Sequence, residues 1–402
     1  MVSCNYYKYW GIVLSAMMFF LPSAQGKREM PVIGYIGVPA RQTTMERFRE
    51  MRECGFNVSL NTYYSVKDAQ KALDIAQKND MKLILRCNEV EKDYRRHLSS
   101  IISHPAFLSY FIGDEPTRKQ IPEFADKLSR IRSVDKNVPC YINLAPSYDF
   151  SILSWLGFNT YASYLKEASA AFGLSQISFD YYPLVVDKKG RLEIRETWYS
   201  CLEDVRAESL RTAVPFWAFV LSTPHIVYPQ PTLAHLRLQV YSNLLYGAQG
   251  IQYFTYWTPP QEKEYDYHNG PIGRSGERTQ TYNVVKAMNA ELAAVAPLFL
   301  EGRIIRVGHL GTFPSGAHKF GRMPSILKGL KLKSDEGALC AELERGKERY
   351  LLIQNKGMFS NLQVSGLPTS NTTLCYVDKQ LVKSSLKSHY TLIPGDILII
   401  KF

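Results

Sequence analysis

From Pro31 to about residue 300, apolar runs of strand length alternate with segments whose apolar residues recur at helical spacing. The predicted strands span residues 32–38, 57–62, 82–86, 109–113, 139–144, 176–181, 215–220 and 251–256. They are almost continuously apolar, which is typical of parallel strands with helices on one side and a filled barrel interior on the other. Eight strand–helix units in about 270 residues predict an α/β fold, the (β/α)8 TIM barrel.

Helix-capping residues support this interpretation. Ser65 is followed three residues later by Asp68, which is the pattern of a capping box. Gly55 and Gly302 stand where two predicted helices should end. A doubly wound open sheet is the alternative architecture, but the segment after the first strand, GVPARQTT, lacks a glycine-rich phosphate loop.

The pattern changes after Gly302. Short alternating segments, such as RYLLIQNK and DILIIKF, are separated by glycine, proline, serine and asparagine. We therefore expect the barrel domain over residues 27–302 and a small antiparallel β-sandwich-like domain over residues 303–402. The expected role of this second domain is to pack against the barrel and stabilise it.

The first 26 residues have the pattern of a secretory signal peptide. Lys8 supplies the positive charge, an apolar run extends from Trp10 to Leu21, and Ala24-Gln25-Gly26 fits a small-x-small cleavage site. The apolar run is shorter than the roughly 20 residues that span a bilayer, although an uncleaved anchor is the alternative. No other segment is expected to span a membrane, so the pattern predicts an exported protein, periplasmic or secreted.

The charge of the chain indicates which classes of binding partner to expect. The net charge is +11, and residues 303–402 carry 15 Lys and Arg against 7 Asp and Glu. A basic surface favours acidic partners such as a sulfated or uronic polysaccharide, or is simply solvated. Because no dense basic run with interleaved aromatic residues occurs, nucleic acid is not an expected partner.

Six cysteines follow the signal segment, widely spaced and without a metal-binding pattern. Cys340 and Cys375 are a plausible disulfide pair in an exported chain. We expect Cys54, Cys87 and Cys140 to be buried thiols. No metal and no cofactor are implied.

The strongest chemical signal lies at the end of the fourth predicted strand, YFIGDEP. Reactive groups of a TIM barrel lie where the strands end, so Asp114 and Glu115 should stand at its mouth. Adjacent strand residues point to opposite sides, so we expect one carboxylate to face the cavity and the other to brace the frame. The alternative is that both acids merely cap the following helix.

The motif GDEP resembles the end of strand four in clan A glycoside hydrolases, where a glutamate is the acid/base. It is similar to exported, family 42-like or β-galactosidase-like barrel proteins of Bacteroides type. SFDYYPL and LRLQVYSNLLYGAQGIQYFTYWTP continue the resemblance, which covers about residues 31–300. It implies a glycosidase with Glu115 as general acid/base.

The chain departs from clan A at strand seven, where the resemblance requires a nucleophilic glutamate. The segment PFWAFVLSTPH holds no acid. Asp180, at the end of strand six, is the best substitute as base or nucleophile, although it could equally be a structural hydrogen-bond acceptor behind Tyr181. Weaker substitutes are Glu89, Glu262, Glu264 and Asp266.

Aromatic and polar residues near the strand ends are candidates for binding sugar rings and hydroxyls. The candidate binding residues are Asp114, Tyr35, Asn61, Tyr64, Arg86, Asn143, Tyr181, Trp217, His225, Tyr256 and Trp257. About half of the aromatic ones should fill the core instead. Trp257 matches the tryptophan that floors the sugar site in clan A, and His225 is either a polar substitute for the missing glutamate or a solvated loop residue.

Three functional hypotheses follow. The first is hydrolysis of an O-glycosidic bond of a poly- or oligosaccharide, because glycoside cleavage needs one protonated and one ionised carboxyl group. The second is a barrel that binds carbohydrate but has lost hydrolysis. The third is a lyase or transglycosidase acting on an acidic polysaccharide.

Overall fold

The computed structural model describes residues 21–22, 28–367, 372–377 and 379–402. Nearly all of the predicted signal peptide, residues 1–26, therefore lies outside the described residues. Eight parallel strands form a closed barrel, and their neighbours follow chain order all the way round. They are β1 Val32–Tyr35, β2 Val58–Tyr63, β3 Lys82–Cys87, β4 Phe107–Asp114, β5 Cys140–Leu144, β6 Ile177–Phe179, β7 Phe216–Leu221 and β8 Gly250–Phe254.

Helices connect these strands and cover the barrel. The longer ones are α1 Met45–Glu53, α2 Val66–Lys78, α3 Ile121–Val134, α4 Tyr161–Phe172, α5 Trp198–Thr212, α6 Leu233–Tyr246 and α7 Gln280–Glu301. Three short helices, Asn88–Lys92, Tyr94–His97 and Ser99–Ile102, connect β3 to β4, and Phe150–Leu156 follows β5. A hairpin of Leu184–Val186 and Leu192–Ile194 follows β6.

The predicted helix signals act as expected. The Ser65 hydroxyl accepts the backbone N–H of Asp68 and donates to its carboxylate, so the capping box is confirmed. Thr44 caps α1 in the same way through the N–H of Arg47. Gly55 adopts φ +92° just after α1, a left-handed conformation that favours glycine.

Alternation along the strands decides which side chains enter the barrel. The lower interior is filled by Ile33, Val58, Leu60, Ile84, Phe111, Tyr141 and Trp217. Trp217 packs within 6.3 Å of the Tyr141 ring and is only 4% exposed. It is therefore a core residue of the barrel, and its predicted position in the sugar site is wrong.

The C-terminal part consists of two antiparallel sheets, as predicted. Its strands are β9 Arg303–Leu310, β10 Lys331–Lys333, β11 Ala338–Arg345, β12 Glu348–Asn355, β13 Leu362–Ser365, β14 Thr372–Val377, β15 Gln380–Ser385, β16 His389–Leu392 and β17 Ile397–Lys401. One sheet has the order β9-β11-β12-β17-β14-β15, and the other has the order β10-β13-β16. The predicted fold class, a barrel followed by a small antiparallel β-domain, is confirmed.

The strand order contradicts the proposed disulfide. Cys340 lies on β11 and Cys375 on β14, and two strands, β12 and β17, separate them. Three inter-strand steps of about 4.8 Å exceed the roughly 7 Å that a disulfide allows between Cα atoms. Cys340 is a free buried thiol, and so are Cys54, Cys87 and Cys140, as expected.

Helix α7 is long and apolar enough to cross a membrane by length and composition alone, which corrects the expectation that no such segment follows the signal. Its Val285, Met288, Leu292 and Val295 are buried in the main hydrophobic core. This is the position of a core helix, and burial explains its composition.

Candidate active site

A local irregularity brings both carboxylates of the GDEP motif to the barrel mouth. The pairing of β4 with β5 shifts register between Phe111 and Gly113, so Asp114 pairs with Asn143 and enters the interior row of side chains. Glu115 follows with φ +45°, a left-handed backbone. The expectation that the two acids point to opposite sides is therefore wrong, because the bulge and the left-handed residue break the alternation.

Asp114 lies at the solvent-exposed end of β4. One of its oxygens accepts the Tyr35 hydroxyl at 2.9 Å, and the other accepts the Asn143 amide at 3.0 Å. Protein atoms surround the carboxylate although water reaches it through the open mouth. Loss of solvation raises its pKa, and the two hydrogen bonds partly offset this effect.

Asn143 joins Asp114 to Asp180. Its amide nitrogen donates to Asp114 and, at 2.9 Å, to Asp180. Its oxygen accepts the Ser178 hydroxyl at 2.9 Å, and Ser178 in turn accepts the Gln252 amide at 2.8 Å. This buried chain fixes the orientation of Asn143, so that each amide hydrogen serves one carboxyl group.

Asp180 is 8% exposed, and its carboxylate accepts the Asn143 amide. Its carboxyl group lies close enough to that of Glu115 for each group to shift the pKa of the other. Two ionised carboxylates repel each other at such close range, so this proximity favours a proton on one member of the pair. We call Glu115 and Asp180 the carboxyl pair.

The electrostatics of the pair favour a retained proton. Burial, and then the charge of Asp114, raises the pKa of Glu115 to about 7. Burial and the charges of Glu115 and Asp114 raise the pKa of Asp180 well above its ordinary value. A carboxylic acid that is still protonated near neutral pH is thus available at the mouth.

The part of the mouth next to β6, where β7 and β8 end, is apolar. Tyr182, Phe219 and Leu221 form one buried cluster. The rings of Tyr35 and Phe254 pack against it, 5.9 Å apart and tilted by only 25°. No carboxylate stands at the end of β7, in agreement with the sequence.

His225 is a buried residue of this wall, so its interpretation as a solvated loop histidine is wrong. Its Nδ1 lies 2.9 Å from the carbonyl oxygen of Thr223. Its ring lies 4.7 Å from that of Tyr228 and 4.8 Å from that of Tyr267. Burial lowers its pKa, which favours a neutral imidazole that orients the loops after β7 and β8.

Three predicted aromatic residues lie in the main core between barrel and helices, and their predicted placement at the sugar site is wrong. Tyr181 bonds to the Thr197 hydroxyl at 2.6 Å, and Tyr256 packs against Phe56. Trp257 lies past the end of β8 with Arg47 over its ring. Phe254 holds the inward position on β8 instead.

The remaining candidates lie at the rim. Asn61 donates to the carbonyl oxygen of Val38 at 2.9 Å, which ties β2 to the loop after β1. Arg86 forms a salt bridge of 2.6 Å with Glu91. Tyr64 follows β2 and is 66% exposed.

The weaker acidic candidates do not join the carboxyl cluster. Glu89 accepts the backbone N–H of Val66 at the start of α2, and Asp266 accepts that of Ile226. Glu262 and Glu264 are exposed on the loop after β8. Across the described part of the chain, no group of three or more His, Cys, Asp and Glu side chains is arranged to hold a metal ion.

Sequence reasoning missed several residues of the mouth. They are Tyr141, Ser178, Tyr182, Phe219, Gln252 and Phe254. Strict alternation within each strand could have identified most of them, because each lies two residues away from another side chain that points into the barrel. The bulge in β4 has no comparable sequence signal.

The closed (β/α)8 barrel is a fold that solved glycoside hydrolases share. A family 42 β-galactosidase of G. stearothermophilus superposes with TM-score 0.59 at 8% identity, covering 96% of this chain and all of that one. A β-galactosidase of Bacillus circulans sp. alkalophilus gives 0.58 at 9% identity, covering 95% and 99%.

A family 39 glycoside hydrolase of Bacteroides cellulosilyticus WH2 is also similar, with TM-score 0.53 at 9% identity, covering 92% of this chain and 81% of that one. At these identities the likeness establishes the fold alone. No family model matches the sequence, and no curated protein matches it.

Proposed function

We propose that this protein hydrolyses an O-glycosidic bond, with Glu115 as the general acid. The observation that carries the proposal is the carboxyl pair, Glu115 beside Asp180, at the mouth of a (β/α)8 barrel whose fold solved glycosidases share. The pKa of Glu115 is raised to about 7, so the group can donate a proton to a leaving oxygen near neutral pH and take one back from water afterwards.

Asp114 serves this chemistry in two ways. Its negative charge raises the pKa of Glu115, which keeps the acid protonated. Its own position is fixed by Tyr35 and Asn143. A fixed charge beside the reacting carbon also stabilises the positive charge that develops there in the transition state.

The geometry argues against Asp180 as base or nucleophile. Glycosidases place a sugar between their two carboxyl groups, which are about 5 Å apart in retaining enzymes and about 6.5–9.5 Å apart in inverting enzymes. Asp180 instead lies beside Glu115, accepts the Asn143 amide and is almost fully buried. We assign it the role of a positioning residue that holds Glu115.

A carbohydrate-binding barrel without hydrolysis is the second candidate. It is favoured by the apolar end of β7, where Phe219 and Leu221 stand in place of an acid. In that case the carboxyl cluster would hold sugar hydroxyls without turnover.

The test is release of reducing sugar from a panel of plant, host and algal glycans by the wild-type chain and by Glu115→Gln. The panel includes acidic glycans because residues 303–402 carry more Lys and Arg than Asp and Glu. The assay uses the chain without residues 1–26, which is the mature form that the N-terminal pattern predicts. Glu264→Gln, which changes an exposed loop acid, is the matched control. We expect turnover that falls at least about a hundredfold in Glu115→Gln only; binding without turnover in all three forms would favour the second candidate.

A further inference from the structure

The site has an acid but no nucleophile on the face where one is required. Its three carboxyl groups come from the ends of β4 and β6, and the ends of β7 and β8, which follow β6 round the barrel, are lined by Phe219, Leu221 and Phe254. A retaining reaction with a protein nucleophile needs a second carboxylate across the scissile bond. A retaining reaction in this mouth therefore takes its attacking atom from elsewhere, and the substrate itself can supply it.

Asp114 is suited to hold an N–H group of a substrate. Each of its oxygens accepts one hydrogen bond from the protein, whereas a carboxylate has about four acceptor positions. It is exposed to the open mouth. Glu115, the next residue, turns toward the same mouth because of its left-handed backbone.

Tyr182 supplies a donor in the same cluster. The residue is 6% exposed, and among the residues that the structure describes its hydroxyl has no hydrogen-bond partner. The charges of Asp180, Asp114 and Glu115 all act on this hydroxyl, so it lies beside the carboxyl cluster. The hydroxyl is not fully enclosed, so a substrate oxygen can reach it and accept its hydrogen bond.

An apolar surface adjoins these polar groups. Tyr35, whose hydroxyl donates to Asp114, stacks on Phe254, and both rings remain only partly buried. An acceptor for N–H, a donor for a carbonyl oxygen and an apolar surface for a methyl group are the three contacts that a secondary acetamide requires.

We propose that the substrate is a 1,2-trans glycoside of a 2-acetamido-2-deoxy sugar and that its own acetamido oxygen is the nucleophile. This inference rests on the proposed glycosidase function. Asp114 accepts the acetamido N–H, Tyr182 orients the carbonyl oxygen, and Tyr35 with Phe254 contacts the methyl group.

The reaction balances in two steps. The acetamido oxygen forms a bond to C1 while the bond from C1 to the leaving oxygen breaks, and Glu115 gives its proton to that oxygen. This produces a five-membered oxazolinium ring, whose N–H is held by Asp114. Water then attacks C1 and gives a proton to the Glu115 carboxylate, and the ring opens with the configuration at C1 retained.

The test compares 4-methylumbelliferyl β-glycosides of 2-acetamido-2-deoxy sugars with their 2-hydroxy counterparts on the wild-type chain. We expect kcat/KM at least about a thousandfold higher for the acetamido substrates, because an internal nucleophile has a high effective concentration. We also expect kcat/KM to fall stepwise when the acetyl group carries one, two or three fluorine atoms, since fluorine weakens its oxygen as a nucleophile.

The outcomes separate the two proposals. Equal turnover of both substrate classes, or no response to fluorination, would overturn the acetamido nucleophile and leave the glycosidase proposal standing. Turnover of neither class, nor of any glycan in the panel, would overturn both. Asp114→Ala should lose about a hundredfold on acetamido substrates, whereas Glu264→Gln should keep wild-type rates; a folded Asp114→Ala with wild-type kcat/KM would count against the inference.

Discussion

At the scale of single residues, the site separates three carboxyl groups by their surroundings. Asp114 is reached by water and held by two donors, Glu115 is half-buried, and Asp180 is buried. Burial raises the pKa of all three groups, and at Asp114 the hydrogen bonds from Tyr35 and Asn143 oppose that rise. Such different surroundings are how a protein gives neighbouring carboxyl groups different roles.

The role assigned to Asp180 is tested by Asp180→Asn. The asparagine oxygen can still accept from Asn143, and its neutral amide still fills the space beside Glu115. We expect kcat/KM on a turned-over glycoside to stay within about tenfold of wild type, whereas loss of a catalytic base costs about 100- to 10,000-fold. A loss of that size in a variant with an unchanged circular dichroism spectrum would restore Asp180 as base or nucleophile.

The same variant should be more stable at alkaline pH. The folded pKa of Asp180 is raised, so between about pH 4 and that pKa the folded state binds more protons than the unfolded state, and stability falls as pH rises. Asparagine does not titrate. We expect the free energy of unfolding of Asp180→Asn to exceed that of wild type by about 1 kcal/mol at pH 8, and by less at pH 5, in urea titrations. An equal difference at both pH values would contradict a buried, protonated Asp180.

The pH profile of kcat/KM reports the acid directly. General acid catalysis needs Glu115 protonated, so activity should decline as pH rises through about 7, the value to which burial and the charge of Asp114 raise its pKa. Asp114→Asn, which removes that neighbouring charge, should move the alkaline limb to lower pH. If the alkaline limb of the kcat/KM profile does not move in this variant, a group other than Glu115 controls it.

At the scale of elements, the hydrophobic periodicity of the chain was sufficient to predict the barrel and most of the helix ends. Continuous apolar runs identified all eight strands within a few residues, because both faces of a barrel strand are buried. The caps at Ser65 and Gly55 could be predicted because they depend on local hydrogen bonding and backbone preference. These are local signals, so a single sequence contains them.

The placement of the site residues depended on features without a local signal. The register shift in β4 turns Asp114 toward the barrel interior, which strict alternation would not predict. The buried positions of Tyr181, Tyr256 and Trp257 depend on packing against helices. The contact between Asp180 and Glu115 joins strands that are far apart in sequence. Tertiary packing, which a periodic pattern cannot specify, determines all of these.

The bulge in β4 is itself testable through Gly113. A Cβ atom there would lie 2.5 Å from the Phe124 ring of α3, so alanine cannot fit without displacement. Such overpacking costs about 1–3 kcal/mol, and we expect Gly113→Ala to lower the melting temperature and kcat together. Adding Phe124→Leu should recover part of the loss, which a double-mutant cycle measures. Strict additivity of the two changes would contradict the proposed clash.

At the scale of the whole molecule, the β-domain completes the core of the barrel. Every residue of α6 from Leu236 to Tyr246 is buried, because the barrel covers one side of this helix and β9, β11 and β12 cover the other. Arg237 and Glu291 form a buried ion pair at 2.5 Å, and the Tyr241 hydroxyl donates a hydrogen bond to Glu291. The same hydroxyl lies 3.2 Å from that of Tyr376 on β14. The two parts therefore share one hydrophobic core.

This shared core predicts that the barrel and the β-domain unfold together, and Gln354 on β12 tests it. Its side chain accepts the Ser242 hydroxyl at 2.8 Å and donates toward the carbonyl oxygen of Leu238 at 3.1 Å, with no solvent exposure. Gln354→Leu removes these hydrogen bonds and places an apolar side chain against buried polar groups of α6, which costs about 1–3 kcal/mol. We expect calorimetry to show one transition at lower temperature, with loss of activity at the same midpoint. Gln363→Ala, on the exposed face of β13, should leave the transition unchanged; a Gln354→Leu variant with two separate transitions would mean that the barrel is stable without its β-domain.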